Sequence, residues 1–356
     1  MWKAWAMSTY ERVAGLPLLV EGYELERLER PVSSGFTRVS TVIRLRGGGH
    51  DGIGEDVTYE GEDHDRFQAD GRGYPLAGEW TLDSFSRSVG QLDLFPVAAS
   101  REVYRNYRRW GVESAALDLA LRQAGLGAAE ALGREERPVR FVVSLRLDEK
   151  PSAEPLRERV ALYPWIRFKL DATTGWDDAF VDELAALGVA ETVDFKGAYH
   201  GTPVDQPPDP ALYARVAEGL PGALLEDPAL TPETDAVLAA HRDRITWDAI
   251  IHSVEEIEAL PFPPRVLNVK PSRFGSLEAL LDAYDYMESR GIAAYGGGQF
   301  ELGPGRGQIQ ALASLFHPDG PNDVAPGGYN EPNPVPGLPA SPLEPGLSAV
   351  GFRRDG

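Results

Sequence analysis

Between residues 138 and 329 short apolar runs rich in β-branched residues alternate with stretches of helical periodicity. That rhythm restricts what the chain can fold into more than any other feature. It predicts strands over 140–145, 165–171, 191–195, 223–226, 244–250, 265–270, 292–299 and 323–325, and helices over 180–187, 211–219, 234–242, 254–260, 277–289 and 308–316. The helix ends are marked. Thr231-Pro232 sets a capping residue before a first-turn proline, Ser253 and Glu256 have capping-box spacing, and Gly291 is a left-handed stop. Eight units of about 24 residues each suit a tight (β/α)8 barrel, with a doubly wound open sheet as the alternative. Neither a dinucleotide-binding G-x-G-x-x-G nor a phosphate-binding P-loop is present.

Ahead of residue 138 the pattern differs. Residues 23–28 and 37–45 read as strands, and Gly47 to Gly52 reads as a turn before a third strand at Ile53 to Val57, making an antiparallel meander. Residues 81–132 are helical, with Ala115, Ala116, Leu119 and Ala120 on one apolar face. Eight prolines between Pro321 and Pro345 make the tail extended. The expected organisation is an α+β unit over 1–137, completed by the tail 330–356, and a barrel over 138–329.

Composition narrows the partners. With 55 acidic residues against 35 Lys and Arg, the formal charge is −20. Such a field repels phosphate backbones and anionic lipid, so neither nucleic acid nor a membrane surface is expected, and a cation is the natural companion. The chain has no cysteine, which excludes disulfides, thiolate catalysis and cysteine-ligated metals. No segment approaches the roughly 20 apolar residues of a membrane helix, and no signal-peptide pattern opens the chain, so the expected location is cytoplasmic.

Charged residues sit near the ends of successive predicted strands: Asp194 on the third, Glu226 on the fourth, Asp248 on the fifth and Lys270 on the sixth. In a barrel these ends share one rim, where active sites lie. One such carboxylate would be an ordinary helix cap, which is how Asp227-Pro228 reads. Three that converge repel one another unless a cation sits among them, and hard oxygen donors suit Mg²⁺. On the second strand Arg167, Lys169 and Asp171 share one face. Buried cations there need anions, either a substrate carboxylate and the metal ligands or a structural network of ion pairs.

These motifs resemble the enolase superfamily, specifically its muconate-lactonizing-enzyme subgroup. Gly52-Ile53-Gly54-Glu55 is similar to the G-x-G-E turn of the capping domain, and Ser114 to Leu121 to its helix leading into the barrel. Leu225-Glu226-Asp227-Pro228 and Leu267-Asn268-Val269-Lys270-Pro271-Ser272 are the most specific matches, and the steps of 32, 22 and 22 residues from Asp194 to Lys270 keep the family's order. The resemblance implies a modified (β/α)7β barrel with an N-terminal α+β capping domain. It makes Asp194, Glu226 and Asp248 ligands of Mg²⁺ and Lys270 one acid/base. The subgroup's K-x-K motif on the second strand has two registers here. Arg167-x-Lys169 keeps Lys169 as the second base, whereas Lys169-x-Asp171 loses it; the flanking apolar residues Ile166 and Leu170 favour the first.

Other positions depart from the pattern. Lys196 stands where many relatives have Asn, as a partner for Asp171 or a substrate contact. Glu301 follows the run Gly296 to Gly298, which lets substrate approach or permits a turn, and no His–Asp pair accompanies it. The D-x-D of dipeptide epimerases is missing; Asn322-Asp323 does not reproduce it. The implied function is Mg²⁺-dependent abstraction of the proton α to a carboxylate in a small molecule, with Arg167, Lys196 and Glu301 as candidate substrate-binding residues. Elimination as in o-succinylbenzoate synthase, cycloisomerisation or epimerisation would follow. The alternatives are an ammonia- or water-lyase with a single lysine base, or a non-catalytic metal-binding relative. The capping loop around Val32–Phe36 and the barrel loops would select the substrate, and self-association stays open.

Overall fold

The first strands pair as the alternation requires. In the computed structural model, which describes residues 7–31, 36–70, 73–95, 97–148, 150–202 and 204–354, Gly22–Pro31, Thr37–Gly47 and His50–Asp56 form an antiparallel sheet. Its second hairpin turns at Gly48 and Gly49, both with positive φ, so the third strand starts at His50 and the expected longer turn is shorter. Gly52 and Gly54 therefore lie within a strand. The long helix Tyr104–Ala124 presses on them: a Cβ at Gly52 would come within 2.2 Å of the Ala115 carbonyl oxygen, and one at Gly54 within 2.1 Å of that of Gly111. The G-x-G spacing is thus a packing device that brings helix onto sheet. A second small sheet, Pro17–Val20 against Gly78–Thr81, has no counterpart in the sequence reading.

In the barrel region the strands Val143–Arg146, Phe168–Asp171, Ala190–Asp194, Leu224–Glu226 and Ile245–Thr246 run parallel and in sequence order. That order excludes the doubly wound alternative, whose strand order reverses. Val266–Val269 and Ala293–Gly296 pair separately. Single hydrogen bonds, not continuous ladders, carry the circuit onward: Asn268 N–H to Trp247 O (3.1 Å), Asp323 N–H to Gly296 O (2.8 Å) and Val142 N–H to Asn322 O (2.8 Å). The helices between them follow their capping signals. Thr231 accepts from the Thr234 N–H, Ser253 from the Glu256 N–H, and Gly291 ends its helix with φ of 66°. Glu154–Leu162, after the first barrel strand, is a helix absent from the sequence reading. No described helix is long and apolar enough to cross a membrane.

The first sheet is stitched to the barrel by buried polar groups. Glu55 accepts the backbone N–H groups of Leu302 (2.7 Å), Gly303 (3.0 Å) and Gly305 (2.9 Å), three donors at the start of the helix Pro304–Phe316. Arg38 donates to the carbonyls of Gln299 (2.9 Å) and Phe300 (3.2 Å). The chain end returns to the long helix, where Asp118 accepts from Phe352 N–H (2.8 Å) and Arg353 Nε (2.6 Å).

Candidate active site

Strand register brings acidic side chains to one level. Asp171 is opposite Asp194, Asp194 opposite Glu226, and Glu226 opposite Thr246, on the last paired rung of four neighbouring strands. Lys169 pairs with Thr192 and lies deeper in the barrel. Side chains two apart on a strand share a face, so Lys169 and Asp171 both enter the interior. The Lys169 ammonium bonds Glu226 and stands 3.2 Å from Asp194 Oδ2. Lys196 bonds Asp194 and lies 3.3 Å from Asp171 Oδ1.

The next strands supply a second group. Lys270 Nζ is 2.7 Å from Asp248 Oδ2, and Arg273 Nε is 2.8 Å from Asp248 Oδ1. Tyr199 donates to Asp248 Oδ2 at 2.8 Å. Tyr295 donates to Glu226, and Asn268 does so at 3.3 Å. A side chain at Gly297 would bring its Cβ within 2.8 Å of Lys270 Cε, so this glycine makes room for the lysine. Asp227 does not cap the following helix as expected; Thr231 does. Asp227 instead accepts the N–H groups of Asp248 (2.8 Å) and Ala249 (3.0 Å), tying the fourth strand's end to the fifth's. Lys196, Asp227 and Phe300 are the non-glycine residues with positive φ among those described; Lys196 and Asp227 fall within two residues of a strand end at this rim, and Phe300 follows the seventh strand by four residues. Backbone of that kind costs about 1–3 kcal/mol per residue and collects at functional sites.

Five carboxylates (Asp171, Asp194, Glu226, Asp227, Asp248) thus meet four cations (Lys169, Lys196, Lys270, Arg273), and burial competes with opposite charge over their ionisation. Burial disfavours the Lys169 ammonium, but Glu226 and Asp194 outweigh it and hold its pKa well above the usual lysine range. Lys196 is raised in the same way, with Asp171 and Asp194 overcoming its burial. Against burial, Lys196 and Lys169 hold Asp194 down to about 2, and Arg273 and Lys270 hold Asp248 well below the usual range. Burial, with Asp248 and Asp194 close by, pushes Asp227 up to about 7. Burial also pushes Glu226 upward against Lys169, with Asp194 adding to the push. In the Lys169–Glu226 pair the charged form wins, because the ammonium has Asp194 as a second anion and Glu226 has two further donors.

Asp194, Glu226 and Asp227 each offer a carboxylate oxygen, all within 4.8 Å of one another. Three hard oxygen donors at that spacing fit a divalent cation. Asp248, the expected third ligand, lies outside this group among the described residues and is engaged by Lys270, Arg273 and Tyr199. Of the two registers of the second-strand motif, Arg167-x-Lys169 and Lys169-x-Asp171, it is Asp171 that shares the rung with Asp194, while Lys169 reaches Glu226 and Asp194 from one step deeper. Arg167 precedes the strand and is not brought to the site. It donates to Ile166 O (2.8 Å), lies 3.9 Å from Glu191, and borders a cavity of about 520 Å³ at the opposite end of the barrel. Glu301 accepts from Gln299 N–H (2.6 Å) and pairs with Arg306 (3.2 Å) near Glu55, where the first sheet meets the barrel. His200, in the loop after Lys196, has an exposed side chain. Of the expected substrate-selecting loop, residues 32–35 lie outside the described residues, and Phe36 is exposed. Sequence reasoning missed Arg273, Tyr199 and Tyr295. Arg273 and Tyr199 each fall three residues after a lysine of the site, a spacing that could have flagged them.

No functionally curated protein matches the chain by sequence. Among solved structures it is similar to an enolase-superfamily member from Listeria innocua (18% identity, 86% of each chain, TM-score 0.65). Muconate cycloisomerase from Pseudomonas fluorescens gives 20% identity over 95% of this chain and 94% of that one, TM-score 0.64. A probable mandelate racemase from Alicyclobacillus acidocaldarius gives 22% over 93% and 92%, TM-score 0.64. At these identities the likeness establishes the fold, a capped barrel of the enolase-superfamily type. The N-terminal and C-terminal models of the domain of unknown function DUF8230 match residues 11–131 and 135–331, and the chain belongs to that family.

Proposed function

We propose that this protein is a divalent-metal-dependent enzyme that removes the proton α to the carboxylate of a small molecule. The observation that carries this reading is the rim itself: Asp194, Glu226 and Asp227 clustered at consecutive strand ends, with Lys270 directly after the sixth strand. The fold neighbours that carry names, muconate cycloisomerase and a probable mandelate racemase, support it. Asp194, Glu226 and Asp227 would hold the ion, with Mg²⁺ the cation that best suits their hard oxygen donors. A bound divalent ion supplies charge stabilisation as the α-carbon loses its proton.

The chain's own residues do the rest. Lys270 Nζ takes the α-proton as the neutral amine and returns it as the ammonium, kept in place by Asp248 and by the space Gly297 leaves. Lys169, held charged by Glu226 and Asp194, is a poor base and contributes positive field instead. Lys196, beside Asp194, and Arg273, beside Asp248, add to that field. The rung shared by Asp171 and Asp194 favours the single-lysine version of the chemistry, in which Lys270 initiates loss of water or ammonia from the substrate. Without an Asp-x-Asp on the eighth strand, dipeptide epimerisation is the least supported outcome.

The test is proton exchange in D₂O with Mg²⁺ and a panel of carboxylic acids, followed by ¹H NMR. Loss of an α-proton signal that requires protein and ion supports the reading. Binding of the ion with no exchange across a broad panel favours a non-catalytic relative.

A further inference from the structure

The Lys169 ammonium lies between the two carboxylates that a divalent ion would need, bonded to Glu226 and 3.2 Å from Asp194. Its side chain is 2% exposed, and both carboxylates are fully buried. Taking two such carboxylates out of water with no counter-charge would be strongly unfavourable, so the protein without an ion depends on an internal cation here. Magnesium sits about 2.0–2.1 Å from its oxygen ligands. An ion that takes an oxygen from both Asp194 and Glu226 therefore claims the space of the ammonium, and two positive charges that close in a buried setting repel strongly. Lys196 shares Asp194 but not Glu226, so it opposes the ion at one ligand only.

We propose that Lys169 is a resident competitor for the metal seat: its ammonium neutralises Asp194 and Glu226 until a divalent ion displaces it. The inference rests on the reading that these carboxylates take a divalent ion. Ion binding is then an exchange of one cation for another, which weakens affinity and lets the chain fold without metal. It also ties ion loading to the position of a buried lysine of the site, a coupling that a site of carboxylates alone would lack.

The experiment titrates Mn²⁺ into the full-length wild type, K169Q and K169R, reading free Mn²⁺ by electron paramagnetic resonance. K169Q is expected to bind Mn²⁺ about tenfold tighter or more, and K169R no tighter than wild type. In chelator K169Q should melt below the wild type, and Mn²⁺ should recover more of its melting temperature than it adds to the wild type. Equal or weaker Mn²⁺ binding by K169Q overturns the proposal. If K169Q fails to fold even with Mn²⁺, wild-type crystals soaked in Mn²⁺ decide. An anomalous peak on Asp194 and Glu226 with Nζ withdrawn from Glu226 supports the exchange; a peak there with Nζ unmoved, or no peak there, overturns it. Mn²⁺ bound by exchange but no α-proton exchange would count against the enzymatic reading alone.

Discussion

Asp171 stands directly across from Asp194 on the last rung of the second and third barrel strands, while Lys169 lies deeper on the same face. Under the proposed function the acid/base role falls on Lys270. Replacing Lys270 with Met should lower α-proton exchange by about 10²–10⁴-fold. Mn²⁺ binding should persist, because Asp194, Glu226 and Asp227 keep their positions and Asp248 retains Arg273. The two readouts, exchange by NMR and ion binding by paramagnetic resonance, should separate in this variant.

Gly54 tests the packing of the long helix on the first sheet. Its Cβ-free backbone lies where a methyl group would meet the Gly111 carbonyl oxygen at 2.1 Å and Ser114 Oγ at 2.4 Å. Gly54→Ala must push helix from sheet, and should destabilise by about 3 kcal/mol in urea unfolding. Gly15→Ala, where nothing lies within 4 Å, should change stability by no more than about 0.5 kcal/mol.

Glu55 satisfies three backbone donors and the Ser40 hydroxyl from a fully buried position. Glu55→Ala would strand those donors and loosen the seam between first sheet and barrel. The expected loss is about 2–4 kcal/mol, measured by equilibrium unfolding.

Stability should fall with acid through His317. Burial depresses its pKa from 6.5 to about 4, with the hydrogen bond to Asn322 opposing that shift. Above pH 6.5 the ring is neutral both folded and unfolded and adds no pH dependence. Between about pH 6.5 and 4 the unfolded chain takes up a proton that the folded chain refuses, so stability drops by roughly 3 kcal/mol in all from this group. Subtracting the unfolding free energy of His317→Gln from that of wild type across this range should isolate the slope.

Much of this architecture was legible because strand and helix periods differ and because helix caps are chemical signals. Thr231, Ser253 and Gly291 mark their helices as expected, and Asp194 and Glu226 do end adjacent strands. Period-two alternation puts Arg167, Lys169 and Asp171 on one face but does not say which residue reaches the rim. That depends on pairing with the next strand, where the register shifts beside Phe168 and Lys169. Arg167 consequently lies at the far end with Glu191. Gly52 reads as the end of a turn, and the resemblance makes Gly52 and Gly54 part of a G-x-G-E turn, because their real constraint, contact with Ala115 and Gly111 at least 57 residues later, is tertiary. The lysine placements were hidden for the same reason: Lys169 meets Glu226 across 57 positions.

The most direct test compares wild type with Glu226→Gln for Mg²⁺-dependent deuterium incorporation at the α-carbon of a turned-over carboxylic acid. The account predicts exchange in wild type with Mg²⁺, and none above background in chelator or in Glu226→Gln. Equal exchange rates with chelator present, or in the variant, would contradict it.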